Sequence, residues 1–388
     1  MQPLSAFVSP LPRKLIFGSG RISEAGELAT TLGEKALIVI GGGSVIQSGA
    51  LHRLQDSLSS AGISYAVFSG VPAEPPLRSV DEGRTALRDA SADLVIGLGG
   101  GSVIDVAKAI GALANEDAPT AAYHRGERKI TAPGVPIIAI PTTAGTGAEV
   151  TPNSVLTDPD RGVKASLRGG DLMPTIALVD PELTVSCPPW QTAYSGLDAI
   201  VQALESYVSK GANPYSDALA LRAFELMAPA LRIAVEDGEN LPAREAMALG
   251  ATMAGMALAC ARLGLVHGLA HPLGHICGVP HGMMCAMLMP TVMEFNLPVA
   301  AAKYATAARA IGLDGPDDQA AARALIDWFR ELNSDLKISR PLDTYGLTPA
   351  HYETIIDQAL ASGSTRHNPR DVTAEDLRGM LEHLRTGQ

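Results

Sequence analysis

Four of the chain's nine histidines, His267, His271, His275 and His281, fall in the stretch HGLAHPLGHICGVPH. The first three recur every four residues, which stacks them on one face of a helix, and the fourth follows Pro280 just beyond that pattern. In an otherwise apolar, lysine-free segment each would be desolvated without an evident hydrogen-bond partner, so metal ligation accounts for the cluster better than core packing does. A second pair, Asp198 and Gln202 in GLDAIVQALE, is also four residues apart and puts a carboxylate and an amide on a common helix face. Imidazole and carboxylate donors without a thiolate pair point to zinc or ferrous iron, not to calcium or a structural zinc knot.

A different chemistry is written in the glycines. The run LVIGLGGGSVIDVAK passes from an apolar strand through Gly99, Gly100 and Gly101 to Ser102 and a helical pattern. Such a turn lets the backbone approach a pyrophosphate, and the helix start beyond it offers free amides and a positive dipole end. PTTAGTGAEV, with Thr142, Thr143 and Thr146, follows another apolar strand and supplies hydroxyls at the same sheet edge, where ligands of open α/β sheets bind. Gly41, Gly42, Gly43 and Ser44 form a third turn after residues 36–40, with no ligand required to explain it.

These residues need a scaffold with two rhythms. From about residue 15 to 180, short apolar runs (36–40, 64–68, 94–98, 135–140) alternate with helical patterns, as in a parallel sheet flanked by helices, and Ser79 with Glu82 suits a capping box. Beyond Pro188 the strand-like runs stop, and residues 214–234 and 243–263 show helical spacing. The expectation is an α/β N-terminal domain over 1–187 with a Rossmann-like parallel sheet, followed by an all-α C-terminal domain over 188–388. A length of 388 residues with 46% hydrophobic content suits two cores. The net charge of −11 argues against nucleic-acid or anionic-membrane partners and favours a small-molecule substrate. Four cysteines without a CxxC pair fit a reducing, cytoplasmic compartment, and the opening residues lack the apolar core of a signal peptide.

Taken together, PRKLIFGSG, GGGSVIDVAKAI, PTTAGTGAEVTPNSVLTD, ALVDPELT, GLDAIVQALESY, HGLAHPLGHICGVPHG and HNPR resemble the iron-containing (group III) alcohol dehydrogenases nearly end to end. The resemblance implies a dinucleotide-binding α/β domain, a helical domain and an active site in the cleft between them. It also implies a homodimer or larger homo-oligomer. By position it puts the metal ligands on Asp198, Gln202, His267 and His281, and places His271 near the nicotinamide as a proton relay. His275 receives no role. The dinucleotide phosphates would lie against Gly99, Gly100, Gly101 and Ser102, with Asp105, Thr142, Thr143, Thr146, Lys164 and Leu183 at further contact positions. The implied reaction is reversible hydride transfer between a small alcohol or carbonyl compound and NAD(P), helped by the charge of Fe2+ or Zn2+.

Two departures qualify the match. Gln202 stands where the family carries a histidine, and a neutral amide is a poorer partner for a transition metal. Gly41 stands where many relatives carry an aspartate that grips the adenine ribose; losing that carboxylate removes repulsion against a 2′-phosphate, so Gly41 and Ser44 lean the cofactor towards NADP. Two alternatives share the scaffold, a metal-independent reductase resembling maleylacetate reductase and a lyase resembling dehydroquinate synthase. The absence of Lys and Arg from residues 263–289 speaks against the phosphorylated substrate such a lyase needs.

Overall fold

The computed structural model describes residues 6–338 and 340–387. It divides into an α/β unit, Pro10–Pro188 with Gly238–Thr252, and a helical unit of Pro189–Asp237 and the chain from Met253 onward, to which residues 6–9 belong.

In the α/β unit, strands β1 (Lys14–Phe17), β2 (Lys35–Ile40), β3 (Ser64–Phe68), β4 (Leu94–Gly99), β5 (Ile137–Pro141) and β8 (Ile176–Val179) form a parallel sheet. Their order is β1-β8-β5-β4-β2-β3. The strands β6 (Asn153–Asp158) and β7 (Val163–Arg168) pair separately as an antiparallel hairpin. Helices α1 (Ala25–Thr30), α2 (Ser44–Gln47), α3 (Ala50–Ser60), α4 (Leu77–Asp89), α5 (Gly101–Ala112) and α6 (Thr120–His124) complete the unit.

The central strands are continuous apolar runs because both faces of the sheet are covered. Alternation in β2 sends Ile38 and Ile40 to a core shared with Leu54 and Leu58 of α3, while Leu37 and Val39 join Val80 of α4 and Val106 and Ile110 of α5. β1 and β3, at the edges, are only partly buried, so β1 carries a weak apolar signal in the sequence. The expected capping box is not formed. α4 starts at Leu77 with Pro76 as its N-cap, which leaves Ser79 buried inside the first turn.

α5 lies unusually close to β4. A Cβ on Gly97 would sit 2.8 Å from the Ala107 Cβ, and one on Gly99 would sit 2.8 Å from the Val103 Cβ. Further along α5, Lys108 is fully buried, and its Nζ pairs with Asp105 at 2.9 Å and donates to the carbonyls of Ala148 (2.9 Å) and Thr151 (3.2 Å). Asp105 in turn accepts from the Val155 amide at 3.0 Å, which ties the β6–β7 hairpin to α5.

The helical unit is built from α7 (Pro189–Val208), α8 (Pro214–Glu236), the second half of α9 (Leu241–Ala261), α10 (Leu265–Cys277), α11 (His281–Ala310), α12 (Asp318–Asp335), α13 (Tyr352–Ala361) and α14 (Ala374–Thr386). α11 packs along both α7 and α12. It is long and apolar enough to cross a membrane by composition, yet Met284, Leu288, Met293 and Ala305 on it are fully buried inside the protein.

Lys108→Ala strands the Asp105 carboxylate in the core and should destabilise the chain by about 3–5 kcal/mol, the range for breaking a buried ion pair. Urea unfolding measures this, and the double variant Lys108→Met with Asp105→Asn should regain most of the loss; a single-variant loss under 1 kcal/mol contradicts it.

Candidate metal centre and cofactor edge

Three elements of the helical unit bring the metal candidates together. On α7, Asp198 and Gln202 lie one turn apart, and the Gln202 amide nitrogen donates to Asp198 Oδ2 at 2.8 Å. His267 occupies the first turn of α10. That helix ends at Gly278, whose positive φ of 61° reverses the chain, and after Pro280 the next helix opens on His281 itself. The sequence expectation of a fourth histidine beyond the helical pattern is thus met by a new helix that doubles back. α11 can approach α7 because residue 282 is glycine: a Cβ there would lie 2.0 Å from the Tyr194 carbonyl oxygen.

The donors face one point. Asp198 Oδ1 lies 3.3 Å from His267 Nε2 and 3.7 Å from His281 Nε2. A fourth donor, absent from the sequence expectation, joins them: Cys285 Sγ, one turn after His281, is 3.6 Å from His281 Nε2 and 3.9 Å from His267 Nε2. All four ligand atoms fall within 4.8 Å of one another. Gln202 keeps its side-chain oxygen buried with no hydrogen-bond partner.

Behind His267 stands Glu205, whose importance the sequence did not reveal. Its carboxylate accepts from His267 Nδ1 at 2.6 Å and from the backbone amide of Val266 at 2.7 Å. Gly264, the N-cap of α10, has no side chain of its own to cap the helix, and a Cβ there would come within 2.9 Å of Glu205 Oε1. Glu205 therefore caps α10 and, by holding the proton on Nδ1, turns the Nε2 lone pair of His267 towards Asp198. A lone pair facing a carboxylate needs a cation or a proton between them. Burial pushes the His267 pKa down, but Cys285, Asp198 and Glu205 outweigh it and hold it well above the ordinary value. Burial also drives the Cys285 thiol up to about 12, and it opposes ionisation of Asp198, which nonetheless stays below its usual range through the His267 hydrogen bond. The pocket calls for positive charge, and its donor set suits a divalent transition metal.

His271, one turn beyond His267, stacks its ring on that of His281 with centroids 4.8 Å apart and planes 15° from parallel. It borders the cluster without entering it. His275 is solvent-exposed and takes no part.

The dinucleotide candidates gather in the α/β unit. The chain runs from β2 to β3 on one side and crosses back to β4 on the other, so the strand order reverses between β2 and β4, the switch point where such sheets bind ligands. Gly41 follows β2 at that point, and Ser44 opens α2, exposed to solvent. Gly99 ends β4; Gly100, Gly101 and Ser102 start α5, whose N-terminus has no side-chain cap. Val103 wedges between the strand ends, 3.2 Å from a Cβ on Gly41 and 2.8 Å from one on Gly99. After β5, Thr142 donates its amide to the Gly99 carbonyl at 2.9 Å. Thr143 lies against Gly100, and the Thr146 hydroxyl would be 2.6 Å from a Cβ on Gly101, so these threonines border the open helix start. Leu183, past β8, is buried in the core. Two further candidates are already engaged: Asp105 by Lys108 and Val155, and Lys164 on β7 by Glu74 at 2.9 Å.

Residues 12–181 match the iron-containing alcohol dehydrogenase family, and residues 192–384 match the C-terminal domain of the same family. The chain belongs to the iron-containing alcohol dehydrogenases. It is similar to the probable alcohol dehydrogenase EutG of Escherichia coli (strain K12), with 38% identity over 95% of this chain and 92% of that protein. The lactaldehyde reductase of the same organism is 36% identical over 93% and 95%, and the 1,3-propanediol dehydrogenase of Citrobacter freundii 38% over 95% and 96%. Among solved structures, a 1,3-propanediol oxidoreductase superposes with a TM-score of 0.93 at 35% identity, covering 98% of this chain and all of that one. A sulfoacetaldehyde reductase from Bifidobacterium kashiwanohense, solved with NAD+, superposes at 0.91 with 30% identity over the whole of both chains. The chain is accordingly an oxidoreductase exchanging hydride between an alcohol or carbonyl substrate and a nicotinamide dinucleotide, with use of a metal.

If Glu205 orients His267, Glu205→Ala should weaken Zn2+ or Co2+ binding by roughly 10–100-fold, the usual cost of losing an outer partner of a ligand. Equilibrium dialysis gives the number, and unchanged affinity in a folded variant would remove that role.

Proposed function

We propose that this enzyme interconverts small, uncharged or weakly charged alcohols and aldehydes with NADP(H), using a divalent metal held by Asp198, His267 and His281. The observation that carries the reading is the convergence of those three side chains on one buried point, with Glu205 fixing the donor nitrogen of His267. When bound there, the metal supplies positive charge that stabilises negative charge developing on the substrate oxygen. Asp198 partly neutralises that charge and is itself steadied by Gln202. His271, stacked on His281 and half-buried, would hold and pass on the hydroxyl proton at an imidazole nitrogen.

The glycine turn from Gly99 to Ser102, with Thr142, Thr143 and Thr146, would seat the dinucleotide phosphates on the uncapped start of α5. Gly41 offers no carboxylate to repel a 2′-phosphate, which supports NADP(H). The names of the relatives, a lactaldehyde reductase and 1,3-propanediol dehydrogenases among them, support a short hydroxylated substrate. The lack of Lys and Arg in residues 263–289 supports one without strong charge. A cytoplasmic homodimer or larger homo-oligomer, with dinucleotide binding assigned to residues 1–187 and metal chemistry to 188–388, completes the proposal.

A panel of short alcohols and aldehydes, followed by nicotinamide absorbance with NADH and NADPH in parallel, tests the reading. Turnover should favour NADPH and disappear on chelation, returning with added Zn2+ or Fe2+. A strong NADH preference overturns the cofactor assignment, and chelator-resistant turnover overturns the metal's role. His271→Ala should lower kcat roughly a hundredfold or more and shift its pH profile while metal content stays constant. Loss of metal in that variant would instead make His271 a ligand.

A further inference from the structure

We propose that Cys285 is the fourth protein ligand of the metal, and that Gln202 stays outside the coordination sphere to orient Asp198. The inference rests on the metal reading above and deepens it.

Donors that share one zinc ion at about 2.0–2.3 Å stand about 3.3–3.8 Å apart where they meet at tetrahedral angles, and zinc can expand to five ligands, which would leave a place for the substrate oxygen beside four protein donors. Four of the six separations among the Asp198, His267, His281 and Cys285 donor atoms lie at or near that spacing, 3.3 and 3.7 Å from Asp198 Oδ1 to the two imidazole nitrogens and 3.6 and 3.9 Å from the sulfur to the same two nitrogens, and all six are within 4.8 Å. Cys285 is fully buried, one turn after His281 on the same face of α11, so its sulfur is directed at this cluster by the helix that presents His281.

Chemistry favours sulfur over the amide. Metal binding would displace the Cys285 proton to solvent, and the resulting thiolate, anionic and soft, would with the Asp198 carboxylate balance both charges of a divalent ion; Gln202 would add only a neutral oxygen. The Gln202 amide nitrogen is committed to Asp198 Oδ2 at 2.8 Å, the oxygen that does not face the histidines. That hydrogen bond leaves Oδ1 for the metal. Gln202 then does for Asp198 what Glu205 does for His267. The glutamine that stands where the family carries a histidine is thus matched by a sulfur arriving from the neighbouring helix. An Asp-His-His-Cys set suits zinc better than ferrous iron.

Cobalt reads the sulfur directly. The full-length protein loaded with Co2+ should show a thiolate-to-cobalt charge-transfer band in the near ultraviolet. Cys285→Ser should abolish it, while Gln202→Ala and serine at Cys187, Cys260 and Cys277 should leave it in place. Zinc affinity should fall in Cys285→Ser by more than the roughly 10–100-fold that loss of an outer partner costs, and in Gln202→Ala by no more than that. Circular dichroism reports whether each variant is folded, and the unaltered protein's spectrum needs no variant. Cobalt bound without the band, with Gln202→Ala the more damaging substitution, overturns the Cys285 ligand and leaves the metal site standing. Failure of the unaltered protein to take up cobalt or zinc overturns both.

Discussion

The hydrogen bond between His267 Nδ1 and Glu205, at 2.6 Å, is the constraint around which the helical unit is arranged. One carboxylate closes the open start of α10 and chooses the tautomer of a histidine that must offer its other nitrogen forward. Two buried acids then bracket one imidazole, Glu205 behind and Asp198 in front. Such an arrangement is costly without a compensating cation or proton, and well ordered with one. Metal binding and the folding of α10 are therefore linked through a shared side chain.

Much of this was legible in the sequence, for a physical reason in each case. Strands β2, β3, β4 and β5 stand within two residues of their expected ends, because each is a short apolar run bounded by polar residues or glycine. The hairpin β6–β7 had no such mark. Of its strands β6 alternates and is tied to α5 through hydrogen bonds such as Ser154 Oγ to the Asp105 carbonyl, a partnership only the folded chain supplies. Ser79 and Glu82 carry the spacing of a capping box, but Pro76 was free to start α4 earlier. Within the site, Asp198 and His267 announced themselves by residue type and four-residue spacing, and His281 by type and its place just after that pattern. Glu205 and Cys285 obeyed the same spacing rules, three residues after Gln202 and four after His281, yet a lone glutamate or cysteine in an apolar helix has many ordinary explanations.

The α/β unit solves a different problem with the same means. Gly97, Gly99 and Gly101 remove side chains wherever α5 meets β4 or the Thr146 hydroxyl, which brings an uncapped helix start to the strand ends. Lys108 and Asp105 then anchor the middle of that helix to the β6–β7 hairpin and the Ala148 carbonyl.

At Gly282 the distance between α7 and α11 is set by main chain against main chain, the Tyr194 carbonyl meeting a residue with no Cβ. Apolar side chains elsewhere on these helices carry packing, whereas this contact carries spacing. Side chains along α11 can therefore be exchanged while the helix axes keep their separation. The donors that Asp198 of α7 and His281 and Cys285 of α11 bring together thus keep their mutual distance while the rest of α11 is free to change, which lets sequence drift along the helix without moving the cluster.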